Sequence, residues 1–348
     1  MTVEIPTTMR AAVYRPGNLN PVIEHDHPVP QPGQGQVLLK VAACGACHSD
    51  VFLLTEALID DRTYILGHEI SGYPVQLGEG VQGIREGQLY VVYVLVPCVR
   101  STNGQPPNMN GIGNDGGLAE YIVVEQSQLV PVPEGLSPEI ACLAGDSLIT
   151  VFNAVHNNAG LRHGTKKRVL IYGVGGLGHQ AVQLAKSYGA TVFAVDYKKA
   201  ARSLALELGA DRALSLSEIT SETAAGTFTV DIVIDFVANQ QSFSLAKAAT
   251  KGNAQSLLSV PPSKIVLVGA SADNLPVTPI ELLDFNIQVI PNIYGSLDDL
   301  RSALALLADG VVKPIVHTVP LEKIDETINA LRASAVLGRR VIVPGLCE

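Results

Sequence analysis

The chain has 348 residues, 47% of them hydrophobic and 16% charged. That is apolar material for about two domains, and too much for a disordered chain. A formal net charge of −9 argues against a nucleic-acid or anionic-membrane surface, and no apolar run reaches the ~18 residues of a membrane span.

The N-terminal stretch MTVEIPTTMR has neither a basic region nor an apolar core, so no signal peptide is expected. The five cysteines, at positions 44, 47, 98, 142 and 347, are few and unevenly placed. That usage favours a reducing, cytoplasmic setting over a disulfide framework.

Residues 1–149 are rich in Pro, Gly and short β-type runs, at Met9–Tyr14, Gln36–Ala42, Gln88–Val96 and Glu120–Glu125. Turn signals between them predict an irregular, mostly antiparallel β domain. Pro131–Gly145 reads as loop then helix, with Ser137-Pro138-Glu139 as the start. Over 150–293 strands and helices alternate. The predicted strands are Val169–Tyr172, Thr191–Val195, Ala213–Leu216, Asp231–Asp235, Lys264–Gly269 and Gln288–Ile290. The predicted helices are Thr150–Ala159, Gly178–Tyr188, Lys198–Leu208, Gln241–Ala249 and Pro279–Leu283. This alternation predicts an α/β fold, a doubly wound parallel sheet of Rossmann type. Residues 252–263 read as a loop. Amphipathic helices follow at Leu297–Asp309 and Leu321–Ser334, and a last strand at Arg340–Val343.

The strongest local signal is Gly173-Val174-Gly175-Gly176-Leu177-Gly178, between an apolar strand and a helical repeat of Ala181, Val182, Leu184, Ala185 and Tyr188. Each glycine has a mechanical role. Gly173 permits the tight turn, Gly175 lets the backbone approach a pyrophosphate, and Gly178 lets helix and strand pack closely. Phosphates are then held at the helix N-terminus. Asp196 ends the next strand, near the ~20-residue spacing of an acid that binds the ribose hydroxyls of NAD. Lys198 and Lys199 follow it; read as solvated charges they leave NAD(H) preferred, while NADP(H) stays open.

Three residues have zinc-ligand chemistry: Cys47 in Cys47-His48-Ser49-Asp50, His68 in Gly67-His68-Glu69, and Asp146. Cys, His and carboxylate suit zinc, and a catalytic zinc keeps three protein ligands and one open position. Their spacing alone decides nothing. A buried thiol, a core histidine and a helix cap would serve equally well.

Whole segments carry a resemblance: GACHSD (45–50), GHE (67–69), GIGNDGGLAEY (111–121), DSLITVFNAV (146–155), YGVGGLGHQAVQLAK (172–186), ELGAD (207–211), KIVLVG (264–269), YGSLDDLRSALALLADGVVKP (294–314) and GRRVIV (338–343). In family order, and nearly end to end, the chain resembles the zinc-dependent alcohol dehydrogenases of the medium-chain dehydrogenase/reductase superfamily. The resemblance implies a GroES-like catalytic domain from residues 1–149 and 294–348, and a Rossmann domain from 150–293. It implies one catalytic zinc on Cys47, His68 and Asp146, with Asp146 standing where most relatives have Cys. Glu69 would lie beside the metal, Asp50 would orient His68, and Ser49 would take the substrate proton. Phe52 stands where many relatives end the proton relay with His, which leaves His48 or a ribose hydroxyl as the exit.

The same resemblance places Thr150 near the nicotinamide and Arg340 on the pyrophosphate. It also implies that a structural zinc is absent, because only Cys98 remains of a four-cysteine cluster. Phe52, Leu54 and Ile293 are expected to form an apolar substrate wall suited to medium-sized or cyclic substrates. The implied activity is hydride transfer between a nicotinamide cofactor and an alcohol or carbonyl. Reduction of an activated C=C bond and non-catalytic cofactor binding are the alternatives. A homodimer or homotetramer is expected through the strand near Gln288–Tyr294, where Pro291-Asn292 departs from the usual Gly-Ser.

Overall fold

The computed structural model describes residues 4–56, 62–95, 109–250, 262–284 and 286–346. The chain divides into two units. One is Met1–Ser147 with Leu300–Ala308 and Ile315–Glu348; the other is Leu148–Asp299 with Asp309–Pro314. The return of 309–314 to the second unit lies outside the boundaries drawn from sequence. Cys98 falls outside the described residues, as does most of the loop expected at 252–263.

The first unit begins with strands β1 (Thr8–Tyr14), β2 (Val22–Pro28) and β3 (Gln36–Ala46), then helix α1 (His48–Glu56). Strands β4 (Tyr64–Ile65), β5 (Glu69–Leu77), β6 (Tyr90–Val92), β7 (Met109–Asn110), β8 (Gly113–Asn114), β9 (Tyr121–Glu125) and β10 (Leu129–Pro131) follow, then helix α2 (Pro138–Ala141). Its main sheet is centred on β3, which pairs antiparallel with β5 and β9. Strand β5 has no clear sequence signal. Its EISGYPVQL interrupts the two-residue alternation with Gly72 and Pro74, and its pairing with β3 shifts register twice. Gly45 lies opposite Glu69 in that pairing. A Cβ at Gly45 would come within 1.9 Å of Glu69 Oε2, so only glycine lets this carboxylate lie across the strand.

The second unit opens with helix α3 (Ser147–Phe152), whose first residue belongs to the other unit, and continues as a π-helix over Asn153–Asn158. Strand β11 (Arg168–Tyr172), helix α4 (Gly178–Ser187), β12 (Thr191–Val195), α5 (Lys199–Glu207), β13 (Arg212–Leu214), α6 (Leu216–Ala224), β14 (Ile232–Asp235), α7 (Gln240–Thr250), β15 (Ser263–Leu267), α8 (Pro279–Asp284) and β16 (Ile287–Pro291) follow. All six strands are parallel, in the order β13-β12-β11-β14-β15-β16. This is the doubly wound order, whose reversal beside the first strand makes a dinucleotide site. Leu170, Phe193, Phe228, Val233, Phe243 and Ile265 form its core.

Helix α4 buries Ala181, Val182, Leu184 and Ala185, the apolar stripe that favours helix there. Gly189, at φ +91°, turns the chain away from it. Leu216, expected in a strand, instead opens α6. Ser215 and Glu218 form a capping box at its start, a signal legible in S-x-x-E and worth about 1 kcal/mol.

The tail adds α9 (Leu297–Ala308), β17 (Val316–Val319), α10 (Ile324–Arg332) and β18 (Arg339–Ile342). Strand β18 pairs with β3 antiparallel and with β17 in parallel, bringing the C-terminal strand into the first unit's main sheet. Among the described residues, no single helix is long and apolar enough to cross a membrane.

Candidate metal centre and dinucleotide loop

Cys47 lies between the end of β3 and the start of α1. Its N–H donates to Asp50 Oδ2 at 2.8 Å, which pins Asp50 beneath the turn. His68 immediately precedes β5, and Asp146 lies between a 3-10 turn at Cys142–Gly145 and α3. The ligand atoms of Cys47, His68, Glu69 and Asp146 all lie within 4.8 Å of one another, and all four residues are buried. Cys47 Sγ is 3.7 Å from Asp146 Oδ2, and His68 Nε2 is 3.5 Å from the same oxygen. Zinc bonds of about 2.0–2.3 Å in tetrahedral geometry separate ligand atoms by roughly 3.4–3.6 Å. Both separations from Asp146 Oδ2 are close to those between two ligands of one zinc.

A second observation supports that fit. His68 is fully buried, yet neither ring nitrogen has a hydrogen bond. Nδ1 faces Asp50 Oδ1 at 3.4 Å, and Nε2 faces Asp146. A buried unpaired polar atom costs about 1–3 kcal/mol, and a cation among Cys47, His68 and Asp146 would remove that cost. Burial lowers the His68 pKa, but Asp50 and Asp146 outweigh it and hold the imidazole well above its ordinary range. Burial likewise opposes ionisation of Cys47, yet Arg339 and His68 bring its thiol below the ordinary value. In Cys44, the other member of Cys44-x-x-Cys47, burial and Asp50 push the thiol far up. The two cysteines are thus chemically unlike, one thiol shifted up and the other down.

Arg339 is the residue sequence reasoning missed. It is buried and its guanidinium reaches Glu69 twice, through Nη2 to Oε1 and through Nε to Oε2 at 3.2 Å. Nη2 also donates to Asp146 Oδ2 at 3.4 Å. Arg340, which the resemblance places on a pyrophosphate, has Nη1 3.4 Å from both Glu326 O and Thr327 Oγ1 within its own unit. Successive strand residues face opposite sides, so only one of the two arginines meets Glu69. The doublet Arg339-Arg340 was the only available signal.

Ser49 Oγ lies 3.5 Å from Cys47 Sγ, and His48 is exposed at the start of α1. Leu54 is buried, whereas Phe52 is half-buried. Ile293 is 72% exposed and lies just past the end of the edge strand β16. Thr150 is buried, and its carbonyl accepts from Asn292 Nδ2 at 3.2 Å.

The glycine loop lies in the second unit, between β11 and α4. Gly173 adopts φ +89°. A Cβ at Gly178 would lie 1.8 Å from Gly173 O, whereas one at Gly175 would meet nothing within 4 Å. Backbone N–H groups hold both oxygens of Asp196: Val174 donates to Oδ2 at 2.9 Å and Lys198 to Oδ1 at 2.8 Å. Two side chains from α4, unnoticed in the sequence, bind the loop's carbonyls. His179 Nδ1 meets Gly175 O and Gln180 Nε2 donates to Gly176 O, each at 2.8 Å. The N–H groups of Gly175, Gly176 and Leu177 have no acceptor among the described residues. Free N–H groups at a helix N-terminus beside an open glycine suit a pyrophosphate.

Comparison with known proteins matches residues 33–134 to the alcohol dehydrogenase GroES-like domain, and 176–309 to the zinc-binding dehydrogenase domain. An alcohol dehydrogenase of Geobacillus stearothermophilus is 32% identical over 332 residues, covering 90% of this chain and 93% of that protein. The chain belongs to the zinc-dependent alcohol dehydrogenase family. A NAD-dependent alcohol dehydrogenase of Sulfurisphaera tokodaii is 31% identical, covering 93% and 97% of the two chains. The structure of acetophenone reductase from Geotrichum candidum, in complex with NAD, superposes with a TM-score of 0.84 at 29% identity, covering 98% of each chain. This dehydrogenase is therefore an NAD(P)-dependent medium-chain enzyme acting on alcohols or carbonyl compounds.

Proposed function

We propose that this dehydrogenase interconverts medium-sized secondary, cyclic or aryl alcohols and their carbonyl compounds, with one zinc on Cys47, His68 and Asp146 and NAD(H) preferred. The observation that carries the proposal is the convergence of three buried donor atoms: His68 Nε2, which makes no hydrogen bond, 3.5 Å from Asp146 Oδ2, and Cys47 Sγ 3.7 Å from the same oxygen. When bound, zinc supplies Lewis-acid polarisation of the substrate oxygen, and the dinucleotide supplies or accepts hydride.

The chain's residues do the rest. Asp50 orients the His68 ring, as such carboxylates do for metal-binding histidines. Arg339 neutralises Glu69 through its two guanidinium contacts. Ser49 Oγ, next to Cys47 Sγ, takes the substrate proton or returns it, and His48 at the helix start gives that proton an exit. Asp196, held by two N–H groups, presents its remaining lone pairs to ribose hydroxyls, which supports NAD. The likeness to an acetophenone reductase and the half-buried ring of Phe52 support an aryl or cyclic substrate.

A homodimer or homotetramer is part of the same proposal. Strand β16 is a sheet edge, and Ile280, Leu283 and Ile293 near it are 60–72% exposed. Pro291, its last residue, offers no N–H to a second copy, so any pairing must use the strand's other residues.

The test is a panel of ketones, alcohols and enones with NADH, NADPH and their oxidised forms, with metal analysis of the same sample. One zinc per chain and chelator-sensitive ketone reduction are expected. Negligible metal, or turnover confined to enones, refutes the proposal.

A further inference from the structure

A buried carboxylate shapes the turn that faces the glycine loop. Asp235 ends β14 beside Tyr172 of β11, and the strand order reverses between these two strands. The crevice at such a reversal is where a dinucleotide lies. Asp235 is fully buried. Its Oδ1 accepts from the N–H groups of Val237 and Ala238 at 2.9 and 2.8 Å, and its Oδ2 accepts from Ser242 Oγ at 2.6 Å. These bonds hold Ala238 at φ +52°, a conformation uncommon outside glycine. Such strain persists only where the surroundings over-determine it, and it clusters at ligand sites. The turn is also wedged between two glycines. A Cβ at Gly173 would lie 3.0 Å from Val237 Cγ2, and one at Gly269 would lie 2.5 Å from Val237 C and O. Val237 is nonetheless 37% exposed. Its side chain therefore borders the first glycine of the loop and stays open to a ligand.

We propose that Asp235 is a positioning residue for the dinucleotide: it sets the turn so that the Val237 side chain forms an apolar seat in the crevice beside Gly173. Chemistry restricts what rests there. A valine offers a charged pyrophosphate nothing, whereas the carbon face of a ribose or a base ring gains by leaving water. The pyrophosphate stays with the free N–H groups of the loop, and Val237 takes an adjoining sugar or ring. Asp235 has no accessible surface, so it touches no ligand and acts only through the turn. The seat presupposes dinucleotide binding at the same loop.

The test uses the full-length protein with Val237→Ala, Asp235→Ala, the double variant and Asp235→Asn. NADH affinity is measured by fluorescence titration, and thermal stability of the cofactor-free protein by calorimetry. Val237→Ala trims a part-exposed apolar side chain and should weaken NADH about three- to tenfold. Its cofactor-free Tm should stay within about 2 °C of wild type, because the side chain reaches the surface. Asp235→Ala should weaken NADH at least as much and lower Tm, because two N–H groups lose their acceptor. The double variant should bind NADH no more weakly than the weaker single variant, since both substitutions act through one seat. Asp235→Asn keeps an oxygen for both N–H groups and should bind NADH within about twofold of wild type. If Asp235→Ala does not fold, Ser242→Ala, which removes the 2.6 Å bond to Oδ2, takes its place in the cycle. NADH affinity within about twofold of wild type in Val237→Ala overturns the proposal. Penalties that multiply in the double variant also overturn it, because Asp235 would then serve the fold alone. Absence of NADH binding by the wild-type protein would instead refute the dinucleotide assignment of the loop.

Discussion

Replacing Arg339 with Met should cost the metal-free protein about 3–5 kcal/mol, the range for removing one partner of a buried ion pair. Arg339 is 3% exposed and Glu69 fully buried, so water cannot compensate for the lost charge. The Nε–Oε2 separation of 3.2 Å gives a direct attraction of about 5 kcal/mol at an effective dielectric constant near 20. Asp146 Oδ2, 3.4 Å from Nη2, loses its cationic neighbour at the same time. The remaining cluster would hold Cys47, Asp50, Glu69 and Asp146 with only His68 to offset them.

Adding Glu69→Met should recover most of the loss, because a pair replaced by apolar groups is close to neutral. The assay is urea unfolding of chelator-treated wild type, both single variants and the double variant, with midpoints compared at equal slope. A single-variant loss below about 1 kcal/mol, or a double variant no better than Arg339→Met alone, would falsify the account of Arg339 as the counter-charge of the metal centre.

Three further outcomes follow from the same geometry. Gly178→Ala forces a Cβ to within 1.8 Å of Gly173 O and should lower stability together with NADH binding, whereas Gly175→Ala, with open space at its Cβ, should fold normally and lose affinity alone. Equal Tm losses in the two variants would contradict this, as would unchanged NADH titrations. Burial pushes His179 down to about 4 from an ordinary 6.5, against the opposing bond to Gly175. The unfolded chain therefore takes up a proton that the folded one refuses between those values. The stabilisation is complete above pH 6.5 and falls as pH drops toward 4, by about 2 kcal/mol at pH 5. His179→Gln should flatten that part of the stability–pH curve, and an unaltered slope would count against it. Asp146→Ala should reduce zinc content well below one per chain, while Asp146→Cys should retain it, because a thiolate also suits the ion; metal analysis of dialysed protein decides, and full occupancy in Asp146→Ala would exclude this carboxylate as a ligand.

The second unit was legible because its information is local. The apolar runs at Val169–Tyr172 and Thr191–Val195, the glycine pattern and the helical stripe of Ala181, Val182, Leu184 and Ala185 each lie within one βαβ stretch. Helix α6 was missed although its capping box at Ser215 and Glu218 was present. There the apolar residues of 213–216 outweighed a cap whose helix has a short buried stripe, with only Ile219 fully inside. Strand β5 was hidden for the opposite reason. Its pairing with β3 carries two register shifts, and each shift breaks the alternation by which a strand is recognised.

The sequence by itself determined the parallel sheet, the order in which its strands arise and the dinucleotide loop, because backbone geometry sets the periods of helix, strand and turn. Ligand chemistry was visible in Cys47, His68 and Asp146 one residue at a time, but their convergence was not. Sγ and Oδ2 meet across 99 positions of chain, and Arg339 reaches Glu69 across 270. Spacing of that size carries no distance information. Only the pairing of β18 with β3, and of β3 with β5, brings the last strand beside Glu69. Strand alternation then decides that Arg339 faces the metal centre and Arg340 does not. Gly45 shows the same division: in the sequence it is one glycine among 32, and in the sheet it leaves the space in which the Glu69 carboxylate meets Arg339.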